Sequence, residues 1–159
     1  MLRAWNSANT YGARLHEHPE AFKDTLKDEI EEGLRLTATD LAHAETAHGQ
    51  LWRSFQTFLG KYEYFVLPTT QLPAFDVNTP YPTEIAGVQF DNYIDWMKSC
   101  WYISTTGNPA ASVPAGFTPE GLPVGVQIVG RDKEDFSVLQ MAHAFEQATG
   151  FAKKRPIIA

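Results

Sequence analysis

Sulfur chemistry is nearly absent from this chain. One of its 159 residues is cysteine, Cys100, which excludes an internal disulfide framework and any cysteine-rich zinc site. Long apolar runs are missing as well, since uninterrupted apolar stretches reach only a handful of residues, so no membrane partner is expected. Met1 leads into Leu-Arg-Ala-Trp-Asn with neither an apolar core nor a small-residue cleavage site, so no secretory leader is expected and a cytoplasmic location is. Basic clusters are scarce. Lys153, Lys154 and Arg155 form the one basic run, and a net charge of −6 argues against nucleic acid or an anionic membrane surface as partner. Proline is rare at the front: only Pro19 precedes Pro68, whereas most of the ten prolines fall between Pro68 and Pro123.

What the chain does carry is core material. Apolar residues make up 43% and charged residues 20%, with four Trp, six Tyr and ten Phe, which excludes a disordered tail. A globule of this length buries about 68–70% of its unfolded surface. Helical signals dominate the first 60 residues. Pro19 suits the first turn of a helix carrying Phe22, Leu26 and Ile30 at i+4 steps, with Gly33 placed to end it. Its acids (Glu17, Glu20, Asp24, Asp28, Glu29, Glu31, Glu32) read as the solvated face of an amphipathic helix. Thr37 and Asp40 fit a capping box, opening a second helix on which Leu41, Ala44, Leu51, Trp52, Phe55, Phe58 and Leu59 recur until Gly60. At 1.5 Å per residue that helix runs about 35 Å, which predicts a principal packing element.

Turn and strand signals follow. Glu63 to Pro68 is a β-branched and aromatic run stopped by proline, the mark of a buried strand. Thr69 to Gly87 reads as a long ordered loop. Tyr93 to Ile103 is apolar nearly all round and predicts a short buried helix. Ala110–Phe117 and Leu122–Val129 read as strands joined by the turn Thr118-Pro119-Glu120-Gly121. Asp132 is placed to cap a last helix carrying Phe136, Leu139, Ala142 and Phe145, with Gly150 beyond its end. No repeat, low-complexity tract or linker interrupts the chain. Residues 1–159 therefore read as a single α/β unit.

Local chemistry is sparse. His43 and His48 lie about 140° apart on a helix, and His16 and His18 share a face only in a strand, so no metal site is expected. Cys100 sits in the most apolar segment with no histidine near it in sequence, so packing is favoured over nucleophilic catalysis. Ser112, in Ala-Ala-Ser-Val-Pro-Ala-Gly, lacks the Gly-x-Ser-x-Gly elbow and reads as a strand serine bonded to backbone. Gln127 alternates with Val126 and Ile128, so inside a sheet its amide needs partners at both ends.

The stretch from Thr106 to Gly130 is more specific. Thr-Gly-Asn-Pro-Ala-Ala-Ser-Val-Pro-Ala-Gly-Phe, followed by Gly-Leu-Pro-Val-Gly-Val-Gln-Ile-Val-Gly-Arg, closely resembles the C-terminal part of amidase signature enzymes. Glu63 to Thr69 is similar to the family's strand ending in Pro-Thr, with Glu63 where an aspartate is usual. The resemblance implies the C-terminal part of a mixed sheet flanked by helices. It also implies a hydrolase using a serine nucleophile, activated through a second serine by a lysine, with no metal or organic cofactor. In the family those residues sit upstream of the matched region. Ser7, Ser54, Ser99, Ser104, Ser112 and Ser137 are isolated here, so no catalytic residue is assigned and the chain is expected to be inactive alone.

By the same resemblance, the segment leading into the matched motif lines the acyl pocket. The substrate-binding residues it implies are Trp96, Met97, Cys100, Trp101, Ser104 and Thr105, each with core packing as the plainer reading. Ser104 stands where many members carry asparagine, and Met97 about where glutamine-using members carry aspartate. An apolar wall implies a neutral, hydrophobic or aryl carboxamide as the small-molecule substrate. The alternative is a non-catalytic binding or oligomerisation module that keeps the same fold. An unpaired strand edge would favour a homodimer.

Overall fold

The computed structural model describes Met1–Lys154, so the expected contribution of Arg155 to the basic run lies outside the described residues. Contacts within the chain group into two compact units, Met1–Leu51 and a second from Trp52 onward. No helix among the described residues is long and apolar enough to cross a membrane.

The first unit holds helices α1 (Leu2–Glu17), α2 (Asp24–Arg35) and the start of α3 (Ala38–Leu59). The sequence pattern gives no sign of α1. Its buried residues are the small Ala4, Ser7 and Ala8, which follow helical spacing without an apolar stripe. Pro19 opens only a 3-10 turn, Pro19–Ala21, and α2 starts at Asp24. Gly33 does not end α2 but lies buried inside it. A β-carbon there would stand 2.0 Å from the Ala4 carbonyl oxygen and 2.7 Å from the Ala8 Cβ, so glycine allows α1 and α2 to meet backbone to backbone. Glu29, expected on a solvated face, is buried. Its carboxylate accepts a hydrogen bond from Ser7 Oγ at 2.9 Å and pairs with Arg3 at 3.0 Å.

The capping box at the start of α3 forms as expected. Thr37 donates to Asp40 Oδ2 from its backbone N–H at 2.9 Å and from Oγ1 at 2.7 Å. The Asp40 N–H donates back to Thr37 Oγ1 at 3.2 Å. The Thr37 hydroxyl, then its backbone N–H, hold the Asp40 carboxyl below its ordinary value of 3.8. A depressed folded-state pKa means this stabilisation is complete above the unfolded value and is lost as pH falls through the folded one. Protection of the amides at the start of α3, meaning exchange measured against the intrinsic rate at the same pH, is therefore expected to hold at neutral pH and to fall below about pH 3.8. Asp40→Asn removes that acid step.

Helix α3 spans 22 residues, yet Leu59 is its one buried residue. Leu51, Trp52 and Phe58 remain exposed, so its apolar stripe is not the principal packing element that its length suggests.

The second unit is built on a three-stranded antiparallel sheet, β1 (Phe65–Pro68), β5 (Pro123–Val129) and β4 (Ala110–Phe117), in the order β1-β5-β4. The intervening strands β2 (Glu84–Ile85) and β3 (Val88–Gln89) form a separate hairpin inside and just beyond the expected loop. Both strand pairings in the main sheet are antiparallel, so these residues carry no parallel part of the expected mixed sheet. Glu63 and Tyr64 precede β1 rather than opening it. Tyr64 instead joins the core, its hydroxyl 2.6 Å from Ser137 Oγ and bonded to the Ser137 carbonyl.

Helix α5 (Asp135–Thr149) packs on one face of the sheet through Ala142, Met141 and Phe145 against Ala111, Val113, Val126 and Ile128. Ile128 and Val129 are fully buried, each contributing about 1.5–3 kcal/mol. The residue capping α5 is Glu134, not Asp132, and its side chain makes no capping bond. Gly130 permits the closeness of α5, since a β-carbon there would meet Val138 Cγ2 at 2.4 Å. On the other face Phe65 meets Phe55 and Phe58 edge to face, with centroids 5.9 and 5.7 Å apart. Helix α4 (Lys98–Thr106), preceded by a 3-10 turn over Asp95–Met97, lies on that face as well. Gly107 ends α4 at φ 70°, the left-handed conformation that glycine adopts without penalty.

Candidate functional site

The matched motif is arranged around the end of β1. The Thr69 N–H donates to the Gly125 carbonyl at 3.0 Å, and Thr69 Oγ1 lies 2.8 Å from Ser112 Oγ. Ser112 therefore bonds a side chain, not backbone as expected. Gly125 is compact for a reason: a β-carbon there would stand 2.9 Å from Thr69 Oγ1 and 3.2 Å from Ser112 Oγ. Asn108, which no sequence argument singled out, is buried and bridges two elements. Its Nδ2 donates to the Gly130 carbonyl at 2.9 Å and its Oδ1 accepts from Gln56 Nε2 at 3.0 Å. The signal available was its place between Gly107 and Pro109, where a buried turn needs its polar groups satisfied.

All six sequence-predicted wall residues are gathered by α4 and its leading turn. Met97 stands at the N-cap of α4, and Cys100, Trp101, Ser104 and Thr105 follow on the helix. Trp96, one residue ahead, completes the set. The segment is less buried than its composition suggests: only Ile103 and Thr106 of α4 are buried, and Tyr102 is 50% exposed. The Cys100 thiol donates to the Thr69 carbonyl at 3.2 Å. The Trp101 indole donates to the Ile94 carbonyl at 3.0 Å. Ser104 and Thr105 turn their hydroxyls back onto the carbonyls of Cys100 and Trp101, at 3.2 and 2.7 Å, the local back-bonding usual for such residues inside a helix.

Rings extend this wall outward. Phe75 and Trp96 meet edge to face at 5.4 Å, Tyr93 and Trp96 at 6.3 Å, and Tyr81 and Tyr93 at 6.1 Å. Each such pair contributes about 0.5–1.5 kcal/mol beyond its burial. The Trp96 indole N–H is buried without an acceptor among the described residues. In the same turn Lys98 lies 3.9 Å from Asp95.

A separate open groove of about 450 Å³ lies beside the end of β1. Val66 to Pro68, Thr70 to Pro73, Ala115 and Val124 to Val126 line it. None of the six predicted wall residues does. The groove depends on how residues 70–73 curl back over the sheet, which no local pattern discloses.

Four serine hydroxyls hold elements together, whereas that of Ser104 bonds within its own helix. Ser7 bonds Glu29, Ser99 bonds the Thr69 carbonyl, Ser112 faces Thr69 and Ser137 faces Tyr64. Among the described residues no group of three His, Cys, Asp or Glu side chains is arranged to hold a metal ion.

A family model described as Amidase matches residues 8–139. The chain belongs to the amidase signature family. An acylamidase from Rhodococcus erythropolis is 35% identical over 134 residues, covering 84% of this chain and 28% of that protein. A glutamyl-tRNA(Gln) amidotransferase subunit from Geobacillus stearothermophilus is 34% identical over 113 residues, 67% of this chain and 20% of that one. A solved amidase structure superposes with a TM-score of 0.82 at 27% identity, covering 91% of this chain and 33% of that one. A bacterial aryl acylamidase of the amidase signature family shares the fold at a TM-score of 0.80 and 23% identity, over 97% of this chain and 34% of its own. The chain thus spans about a third or less of each relative. The amidase motif from Thr106 to Gly130 corresponds in the structure to the end of α4, the strand pair β4–β5 and their connection.

Proposed function

We propose that this chain is the C-terminal structural segment of an amidase domain and supplies one wall of its acyl pocket. The whole enzyme would hydrolyse a neutral, hydrophobic or aryl carboxamide to a carboxylate and ammonia or an amine. Acyl transfer would pass through a serine ester formed on a nucleophile outside this chain and then yield to water. Trp96, Met97, Cys100, Trp101, Ser104 and Thr105 would line the wall and touch the acyl group.

The observation that carries this reading is the half-open aromatic segment ending in Trp96. It combines an apolar surface with one buried donor that lacks an acceptor, and a buried donor left so costs about 1–3 kcal/mol. Likeness to an acylamidase supports the same substrate class. Likeness to amidotransferase subunits supports glutamine instead, but Met97 offers no charge to hold an amino-acid end.

Incomplete burial supports the segment over a free-standing module. Among the described residues the large fully buried side chains are Ile30, Leu59, Ile128 and Val129. Phe136 and Leu139, three apart on α5, are 72% and 60% exposed. Exposed apolar area of that kind belongs against another protein surface. The isolated chain is therefore expected to bind a hydrophobic dye, to self-associate on sedimentation, and to release no amine from any amide. A monodisperse monomer that binds no dye would favour the binding module.

A further inference from the structure

Three elements of the second unit converge on one side chain. Gln127, in the middle of β5, is buried. Its Nε2 donates to the carbonyl of Pro68 at 3.2 Å and to the carbonyl of Ser99 at 3.0 Å. Pro68 ends β1 and Ser99 lies in the first turn of α4. A primary amide nitrogen carries two N–H groups, so two carbonyl acceptors use both. The surrounding contacts point the same way. Gln71 Oε1 accepts from the Ser99 N–H at 3.3 Å, and the Cys100 thiol donates to the Thr69 carbonyl at 3.2 Å.

We infer that Gln127 is a positioning residue, an amide clamp that holds the start of α4 against the end of β1 and so fixes where the α4 wall stands. Its one nitrogen ties all three elements together. The residue type is demanding. Glutamate has the same shape, but when ionised it turns two donors into acceptors facing two carbonyl oxygens. Methionine keeps the length and offers no donor. That the wall belongs to an acyl pocket rests on the function proposed above; the clamp itself does not.

Cys100, the single thiol, sits one residue beyond Ser99 and reports on the clamp. In the full chain we would compare its reaction with a thiol-specific aromatic disulfide in the wild type, Gln127→Met and Gln127→Glu, well below the unfolding midpoint. Losing two hydrogen bonds should open α4 locally and speed the reaction about tenfold or more, beyond any change in the global unfolding equilibrium. Thiol reactivity equal to wild type in folded variants would overturn the proposal. Should both variants fail to fold, the wild type still decides. The Gln127 side-chain protons should exchange with deuterium at least about tenfold more slowly than those of exposed Gln140 and Gln147, and equal rates would overturn it. Because neither readout depends on amide hydrolysis, failure of the clamp and failure of the amidase reading are separable.

Discussion

Gly33→Ala is expected to uncouple α1 from α2. The new methyl would stand 2.0 Å from the Ala4 carbonyl oxygen and 2.5 Å from its carbon, and backbone cannot yield as a flexible side chain does. Relief requires the helices to separate, which stretches the bonds from Ser7 and Arg3 to Glu29, a carboxylate that is 9% exposed. Overpacking and a weakened buried hydrogen bond together should cost about 3 kcal/mol or more. Gly12 is the control. It lies within α1, where a β-carbon would meet only Leu34 Cδ2 at an ordinary 3.6 Å. Gly12→Ala should therefore stabilise the helix by up to about 1 kcal/mol. Urea unfolding followed by far-UV circular dichroism compares the two, and equal effects would show that α1 and α2 do not touch at Gly33.

Met97→Asp carries the largest expected effect on substrate choice. Met97 is half-buried at the start of α4, in the turn whose Trp96 ring packs on Tyr93. A carboxylate there would present charge to an apolar acyl group and cost the wall part of its desolvation. In the complete enzyme, kcat/KM for a neutral aryl amide should fall about 10- to 100-fold, the range that one altered contact in an apolar pocket commands. Turnover of a substrate with a cationic end should fall less or rise. An unchanged ratio between the two substrates would remove Met97 from the wall.

Residues with strong local chemistry were legible in the sequence. The Thr37–Asp40 box, the strand pair β4–β5 and the turn at Gly121, whose φ is 88°, all follow from capping, alternation and turn rules. So did Gly150, which ends α5 in the left-handed conformation. What escaped depends on partners distant in sequence. Helix α1 buries Ala4, Ser7 and Ala8, and small residues leave no hydrophobic stripe. Gly33 looks like a terminator until Ala4 is seen against it. The apolar run around α4 predicts burial, yet much of it faces outward. That Cys100, Trp101, Ser104 and Thr105 share one helix follows from the short helix expected there, whereas their place in an acyl pocket rests on the family resemblance and the function proposed above. The attachment of that helix through Gln127 was foreshadowed only as an amide in need of partners, since neither carbonyl can be identified without the fold.

The measurement closest to the central claim is a side-by-side determination of kcat/KM for an acyl anilide and for glutamine, using the complete enzyme that contains this chain. The proposed wall of Trp96, Met97, Cys100 and Trp101 predicts that the anilide is favoured by at least about tenfold. Faster release of ammonia from glutamine would contradict it, and would place this chain with the amidotransferase-like members of its family.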